Sequence, residues 1–300
     1  MKIIVTGSLG HISQPLTQQL VQKGHTVTVI SSNPEKQNPI QELGATAAIG
    51  SLEDVNFLTA IFTGADAVYT MVPPNNYFDH SLDLIAYYCR LGQNYAQAIG
   101  QSGVKRVVNL SSIGAHLEKG NGILVGANKV EHILNGLPSH IAITHLRPTS
   151  FYYNLYGYAD MIKNQGLIAA NYGAEDVVPW VAPQDIADAI AQELDKPFTG
   201  RKVRYVASEE LSCAETARIL GQAIGKPDLP WHIITNEQMQ SGLIAAGMNP
   251  KIAAGLVEMY AGLHSGLLAQ DYYANRPTVI GRVKLREFAK EFASVYGQNS

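Results

Sequence analysis

The residues best placed to do chemistry come first in the chain: Thr6-Gly7-Ser8-Leu9-Gly10-His11-Ile12-Ser13. A turn of this composition between a strand and a helix is a cradle for an anion. Gly7 can take a tight turn off the strand. Gly10 has no side chain, so a diphosphate can approach the backbone there. The N–H groups opening the next helix then donate to that diphosphate, assisted by the helix dipole. Ser13 stands where a third glycine is common, and its small side chain predicts slightly looser strand–helix packing. Leu9, His11 and Ile12 share the turn and are candidate cofactor contacts, although His11 also reads as a solvated imidazole. The plainer alternative is an ordinary glycine-containing turn. Its place between the first strand and the first helix favours the cradle.

A residue that discriminates at the ribose is expected about 20 residues beyond the glycines. Counting from Gly10 reaches Ile30, followed by Ser31-Ser32-Asn33-Pro34-Glu35-Lys36. No acid stands at the strand end to hold a ribose 2′-hydroxyl. The hydroxyls of Ser31 and Ser32, the Asn33 amide and the Lys36 ammonium can instead donate to a 2′-phosphate. This predicts NADP and leaves NAD open; the plainer reading of Lys36 is a solvated helix residue.

The elements that must position these groups alternate. Strands are predicted over Lys2–Thr6, Thr26–Ile30, Ala45–Ile49, Ala67–Val72, Lys105–Leu110 and Ile141–Leu146, the last stopping before Pro148. Helices are predicted from Ile12 to about Gly24, then over Glu35–Leu43, Glu53–Phe62, Phe78–Gln101 and Val125–Leu134. Such alternation implies right-handed crossovers and a doubly wound parallel sheet, an α/β class. The second half is less regular. Helices are expected over Phe151–Lys163, Pro183–Glu193, Leu211–Ile224, Met248–Leu263 and Phe288–Tyr296, with one strand at Val203–Val206. The division expected is residues 1–150 for nucleotide binding, with 183–207 returning to that domain, and 151–300 as a smaller, mainly helical substrate lobe.

Composition excludes several classes. The 300 residues carry 22 Lys+Arg against 25 Asp+Glu, a net charge of −3, with 16% charged residues. That argues against disorder and against a basic nucleic-acid surface. Cys89 and Cys213 are far apart and form no CxxC pair, which suits free thiols in a reducing cytoplasm. Only four residues separate Lys2 from Gly7, too few for a signal-peptide core, and no run approaches ~18 apolar residues. A cytoplasmic protein with a small-molecule substrate and no membrane or nucleic-acid partner is expected. The nine histidines include no HxxxH or HExxH spacing, so no metal is assigned.

Taken in order, several loose motifs form a specific set. Val5-Thr6-Gly7-Ser8-Leu9-Gly10 is followed by Asn33-Pro34-Glu35-Lys36, Gly64-Ala65-Asp66-Ala67-Val68 and Gly103-Val104-Lys105-Arg106-Val107-Val108. Ser111-Ser112, Leu146-Arg147-Pro148 with Phe151 and Asn154, and Asp185-Ile186-Ala187 complete it. The chain resembles the NmrA-like group of atypical short-chain dehydrogenases/reductases, and is similar to the NADPH-dependent quinone reductases of that group. The resemblance implies a Rossmann-type fold. It implies that Lys129 holds the nicotinamide ribose, and that Pro148, Thr149 and Phe151 close over the nicotinamide. Departures accompany it. The superfamily's Tyr-x-x-x-Lys pair is missing, because Val125 stands four residues before Lys129. Ser32 replaces an expected arginine. Gly50-Ser51-Leu52 replaces an expected acid after the third strand, so Ser51 takes over adenine contacts.

Other candidates gather where strands end. Met71, Val72, Pro73 and Pro74 end the fourth strand, where the inner ribose would pass; a buried strand end is the equal alternative. Ser111 and Ser112 finish the fifth, where hydroxyls can bond substrate or ribose; turn capping is the equal alternative. Lys129 and Ser111 are the candidate catalytic residues. Ser112, Tyr152 and Tyr153 are candidate substrate contacts, with Tyr156 and Tyr158 nearby; the plainer reading of these tyrosines is packing. The leading reading is an NADP(H)-dependent oxidoreductase passing hydride to a quinone or small carbonyl compound. The alternatives are a non-catalytic dinucleotide sensor, which the missing tyrosine favours, and a nucleotide-sugar epimerase or dehydratase relative, which it disfavours. Gly10→Asp is expected to abolish dinucleotide binding, because its carboxylate would occupy the diphosphate's place; an unchanged affinity on titration refutes the cradle.

Overall fold

Seven strands form one parallel sheet, its central strands aliphatic and buried and its two edge strands partly exposed. In the computed structural model, which describes residues 1–196 and 199–298, the first half runs β1 (Lys2–Val5), α1 (Ser13–Gln22), β2 (Thr26–Ser31), α2 (Gln37–Glu42) and β3 (Thr46–Ile49). It continues α3 (Val55–Phe62), β4 (Ala67–Thr70), α4 (Leu84–Ser102), β5 (Arg106–Leu110), α5 (Val125–Asn135) and β6 (Ala142–Pro148). The second half contains β7 (Ser150–Phe151), α6 (Ala159–Gln165), β8 (Ile168–Ala170), β9 (Val177–Val181), α7 (Pro183–Asp195) and β10 (Arg201–Val206). It ends β11 (Glu209–Ser212), α8 (Cys213–Ala223), β12 (Trp231–Ile233), α9 (Asn236–Ala245), α10 (Pro250–His264), α11 (Gln270–Ala274) and α12 (Leu285–Gln298).

The sheet order is β10-β6-β5-β4-β1-β2-β3, and every ladder is parallel. Alternate residues of β1 face opposite cores. Ile3 and Val5 pack with Leu16 and Leu20 of α1, Ile40 of α2 and Ile186 and Ile190 of α7. Ile4 packs with Leu58 and Phe62 of α3, Tyr95 and Ile99 of α4 and Val130 and Leu134 of α5. Helices therefore cover both faces, and the sheet is doubly wound, Rossmann-like, as the alternation predicts. A third core, around Tyr152, Trp180, Trp231, Phe288 and Phe292, holds the second half together. No single helix among the described residues is long and apolar enough to cross a membrane.

Several elements depart from the expected ones. The helix expected over Phe151–Lys163 begins as a strand at Phe151 and a 3-10 helix over Tyr152–Tyr158, with α6 only from Ala159, and the one expected from Leu211 starts at Cys213, because Leu211 and Ser212 pair with β9. The helix expected from Phe78 begins at Leu84, because Asp83 caps it: the Asp83 carboxylate accepts from the Ala86 N–H at 3.0 Å. Residues 73–82 are turns instead, opened by Pro73-Pro74. Strand β6 does not stop at Leu146 but runs through Pro148, which pairs with Val206. The lack of an N–H on Pro148 does not break this ladder, because the donor there is Thr149, whose N–H bonds the Val206 carbonyl at 3.0 Å. The second half is less purely helical than expected, with a three-stranded sheet (β11-β9-β7) and a two-stranded one (β12-β8). The sequence pattern predicts no helix over Asn236–Ala245, where α9 forms; none of its residues is buried, so its apolar pattern is weak.

Polar groups also reach the interior. Arg147 on β6 is bidentate to Glu131 on α5, at 2.9 and 2.7 Å, and bonds Asp271 on α11 at 3.1 Å and the Tyr205 hydroxyl on β10 at 3.2 Å. Nearby, the His145 ring is satisfied in its neutral form: Nε2–H donates to Asn135 Oδ1 at 3.0 Å, and Nδ1 accepts from the Asn109 amide at 3.2 Å. Burial pushes the His145 pKa down to about 4, with Glu131 opposing and Arg147, Arg201 and His132 adding. The folded value lies below the ordinary one, so the unfolded chain binds the proton first on acidification. Stability from this residue is complete above pH ~6.5 and declines by about 3 kcal/mol as pH falls to about 4. An NMR titration of the ring should give a midpoint near 4; a midpoint at the free-histidine value contradicts this account.

Candidate functional site

The glycine turn leaves β1 with Gly7 in the left-handed region, φ +88°, followed by Ser8 at φ +56°. The turn is bound on both sides. The Gly10 N–H donates to the Gly7 carbonyl at 3.1 Å, and the Ser8 N–H to the Ile30 carbonyl at 3.0 Å. Ser8 Oγ donates to Ser31 Oγ at 2.9 Å, tying the turn to the end of β2. Ser13 is buried, and its hydroxyl donates to the Thr6 carbonyl at 2.8 Å. The looser packing expected of Ser13 is thus offset by a hydrogen bond that a glycine could not make. The Thr6 hydroxyl in turn accepts from the Met71 N–H at 3.1 Å, joining β1 to the end of β4.

A cavity of about 350 Å³ lies over these strand ends. Its walls bring together Gly7, Gly10, His11, Ile12, Ser31, Ser32, Met71 and Pro73, all singled out from sequence. Ser8, Ser13, Ile30, Ser51, Leu52, Glu53, Pro74, Tyr87 and Leu91 also line it. Tyr153 closes one side, its ring stacked on His11 (centroids 5.0 Å apart) and tilted against Phe151 (4.9 Å). Burial raises the pKa of the Tyr153 phenol above the usual value, so it stays protonated and able to donate. Glu53 is held by Arg90 through two contacts, at 2.7 and 3.1 Å. Tyr87 and Leu91 lie four apart on α4, a helical spacing that could have flagged both; Glu53 gave no such signal.

Other candidates lie outside this lining. Leu9 and Phe151 pack against the first core and Val72 against the second. Asn33 accepts from the Glu35 N–H at 2.9 Å, and Lys36 is exposed on the following turn. Pro148 is buried in β6, and Lys129 is exposed on α5. The Ser111 hydroxyl donates to Glu131 at 2.5 Å, within the buried arginine network. Ser112 is half-buried beside it. Tyr152 is fully buried among Trp180 and Phe288, its hydroxyl donating to the Val283 carbonyl at 3.3 Å, so its ring belongs to the third core rather than to a pocket wall. Among the described residues no group of three or more metal-ligating side chains gathers.

The chain matches the NmrA-like family over residues 1–262. The chain belongs to that family. A (4-alkanoyl-5-oxo-2,5-dihydrofuran-3-yl)methyl phosphate reductase of Streptomyces griseus is 24% identical over 226 residues, 75% of this chain and 74% of that protein. Two solved structures share the fold. The triphenylmethane reductase of a Citrobacter species, complexed with NADP(H), superposes with a TM-score of 0.75 at 20% identity, covering 97% of this chain and 99% of its own. An NADPH-dependent quinone oxidoreductase of Escherichia coli gives 0.77 at 18% identity, over 97% and 99%.

Gly7 is held to its left-handed conformation by what surrounds it. A Cβ on Gly7 would lie 2.6 Å from Ser13 Oγ and 3.1 Å from Met71 Sδ. Gly7→Ala is expected to cost roughly 1–3 kcal/mol from the left-handed backbone and the clash. Ser13→Gly alone should also destabilise, through the lost bond to the Thr6 carbonyl, but the double variant should lose less than the sum of the two singles, because the nearest clashing atom is gone; thermal denaturation of the singles and the double measures this.

Proposed function

We propose that this NmrA-like protein is an NADP(H)-dependent oxidoreductase acting on a quinone or another small carbonyl acceptor. The observation that carries the reading is the continuity of one cavity from the glycine turn to the hydroxyl-rich end of β2. The backbone of Gly7, Ser8, Gly10, His11 and Ile12 would hold the diphosphate. Ser31, Ser32, Asn33 and Lys36 would donate to a 2′-phosphate. Met71, Pro73 and Tyr153 would border the nicotinamide, with Pro148, Phe151 and Ser112 beyond them. When bound, the nicotinamide supplies a hydride at its C4. The protein's part is then to orient the acceptor and exclude water, work suited to the apolar walls of Met71, Pro73 and Tyr153. Residues 1–150 with 183–207 form the cofactor half in this proposal, 151–300 form the substrate lobe, and the protein acts in the cytoplasm.

One observation favours a second reading, a dinucleotide sensor without catalysis. Ser111 is bound to Glu131 and Lys129 lies outside the cavity lining, so neither candidate catalytic residue forms a proton-transfer pair there. A quinone is an easy hydride acceptor, and orientation alone can suffice for it.

Titration with NADPH and NADH, followed by turnover with a panel of quinones and carbonyl compounds, separates the two. The oxidoreductase reading expects NADPH oxidation with at least one acceptor; binding without turnover on any supports the sensor. Ser32→Ala with Lys36→Ala should weaken NADPH about tenfold through lost charge-assisted bonds, with NADH unaffected.

A further inference from the structure

We propose that Tyr153 is the proton donor of this site, which extends its acceptors from quinones to aldehydes and ketones, whose reduction needs a proton at oxygen. The assignment rests on the oxidoreductase reading above and adds to it the residue that completes the reaction.

Tyrosines surround the cavity, and packing sorts them. The Tyr87 hydroxyl donates to the Pro73 carbonyl at 3.3 Å, and the Tyr95 hydroxyl to the Met71 carbonyl at 2.7 Å. Tyr69 is fully buried in the first core. Tyr88 lays its ring against α5, where a Cβ on Gly126 would lie 2.7 Å from it. Tyr152 belongs to the third core. Tyr153 differs from all of these. It is half-buried, it lines the cavity, and its hydroxyl, which is not sealed off, makes no hydrogen bond among the described residues.

Backbone and ring are nevertheless both fixed. Phe151, two residues earlier, pairs with Val181 of β9, and the intervening Tyr152 is anchored in the third core. The Tyr153 ring stacks on His11 and tilts against Phe151. The ring is therefore held while its O–H is uncommitted, which is what an aimed donor requires. The phenol reaches the cavity from the segment after β6, whereas the pair missing from this chain would have placed one on α5 at Val125.

The chemistry balances with this one group. The carbonyl carbon receives the hydride that a bound nicotinamide supplies, and the C=O π pair moves onto oxygen. That oxygen takes the Tyr153 proton and becomes the alcohol, and the phenolate recovers a proton from water. In sum, one NADPH and one solvent proton reduce one carbonyl. An alkoxide is a much stronger base than a phenolate, so the transfer is downhill even from a phenol that burial makes a weaker acid. A quinone differs. Its reduced form is itself a phenolate, its charge spread into a ring, and water can protonate it later. The donor therefore separates the two acceptor classes.

The test uses the full chain, para-nitrobenzaldehyde as carbonyl probe, menadione as quinone probe, and Tyr153→Phe, which keeps the ring and removes only the hydroxyl. With NADPH, kcat for the aldehyde should fall about a hundredfold and kcat for the quinone less than about threefold. Calorimetric titration of the aldehyde into NADP⁺-loaded protein, where no hydride can move, should show about fivefold weaker binding in the variant, the loss of one hydrogen bond. The melting curve should match the wild type, because the hydroxyl bonds nothing in the fold. Equal loss on both acceptors, or loss on neither, overturns the assignment. So does unchanged aldehyde binding, a lowered melting temperature, or a wild type that reduces the quinone alone. A wild type that binds NADPH and reduces neither probe overturns the oxidoreductase reading itself, and this assignment with it.

Discussion

The sheet reverses its direction of growth between β1 and β4, and the rest of the molecule follows from that reversal. From β1 the chain builds outward through β2 to β3 with α1 and α2 on one face. It then crosses through α3 and builds the other way through β5 and β6, with α4 and α5 on the opposite face. The helices flanking β1 and β4 therefore diverge, and the carboxyl ends of those two strands are left uncovered by either layer. The glycine turn, Met71 and Pro73 all sit at that gap.

Hydroxyl groups do at this gap what glycine alone would leave undone. Ser13 bonds the Thr6 carbonyl, the Thr6 hydroxyl takes the Met71 N–H, and Ser8 bonds Ser31. The three contacts join β1, β2 and β4 above the reversal. A turn with Gly7 and Ser8 both at positive φ is entropically costly, and this lacing offsets the cost. It also leaves the turn pre-ordered, so a ligand meeting it does not have to organise it.

The buried Arg147–Glu131 pair works on the far side of the sheet. It ties β6 to α5, and through Asp271 and Tyr205 it ties both to α11 and β10. An unpaired charge in this position would be costly, so its partners are fixed together. Ser111, at the end of β5, is drawn into this network and away from the cavity. Tyr152 meets a parallel fate: the aromatic core of the second half claims its ring, while Tyr153, one residue on, faces the cavity.

The sequence by itself determined the sheet, the helices that wind it and the glycine turn. Those depend on local pattern: β-branched runs such as Lys2–Val5, helical repeats such as Leu16 and Leu20, and glycines at a strand end. Periodicity and backbone freedom are properties of neighbouring residues, so they can be read along the chain. Only the tertiary structure decided which of two adjacent tyrosines reaches the cavity, that Ser111 answers to Glu131, and that Arg90 meets Glu53. Each of these depends on residues distant in sequence: 37 positions separate Glu53 from Arg90, and 124 separate Arg147 from Asp271. A polar side chain's role is set by whichever partner packing brings within about 3 Å of it, and packing is a property of the whole fold.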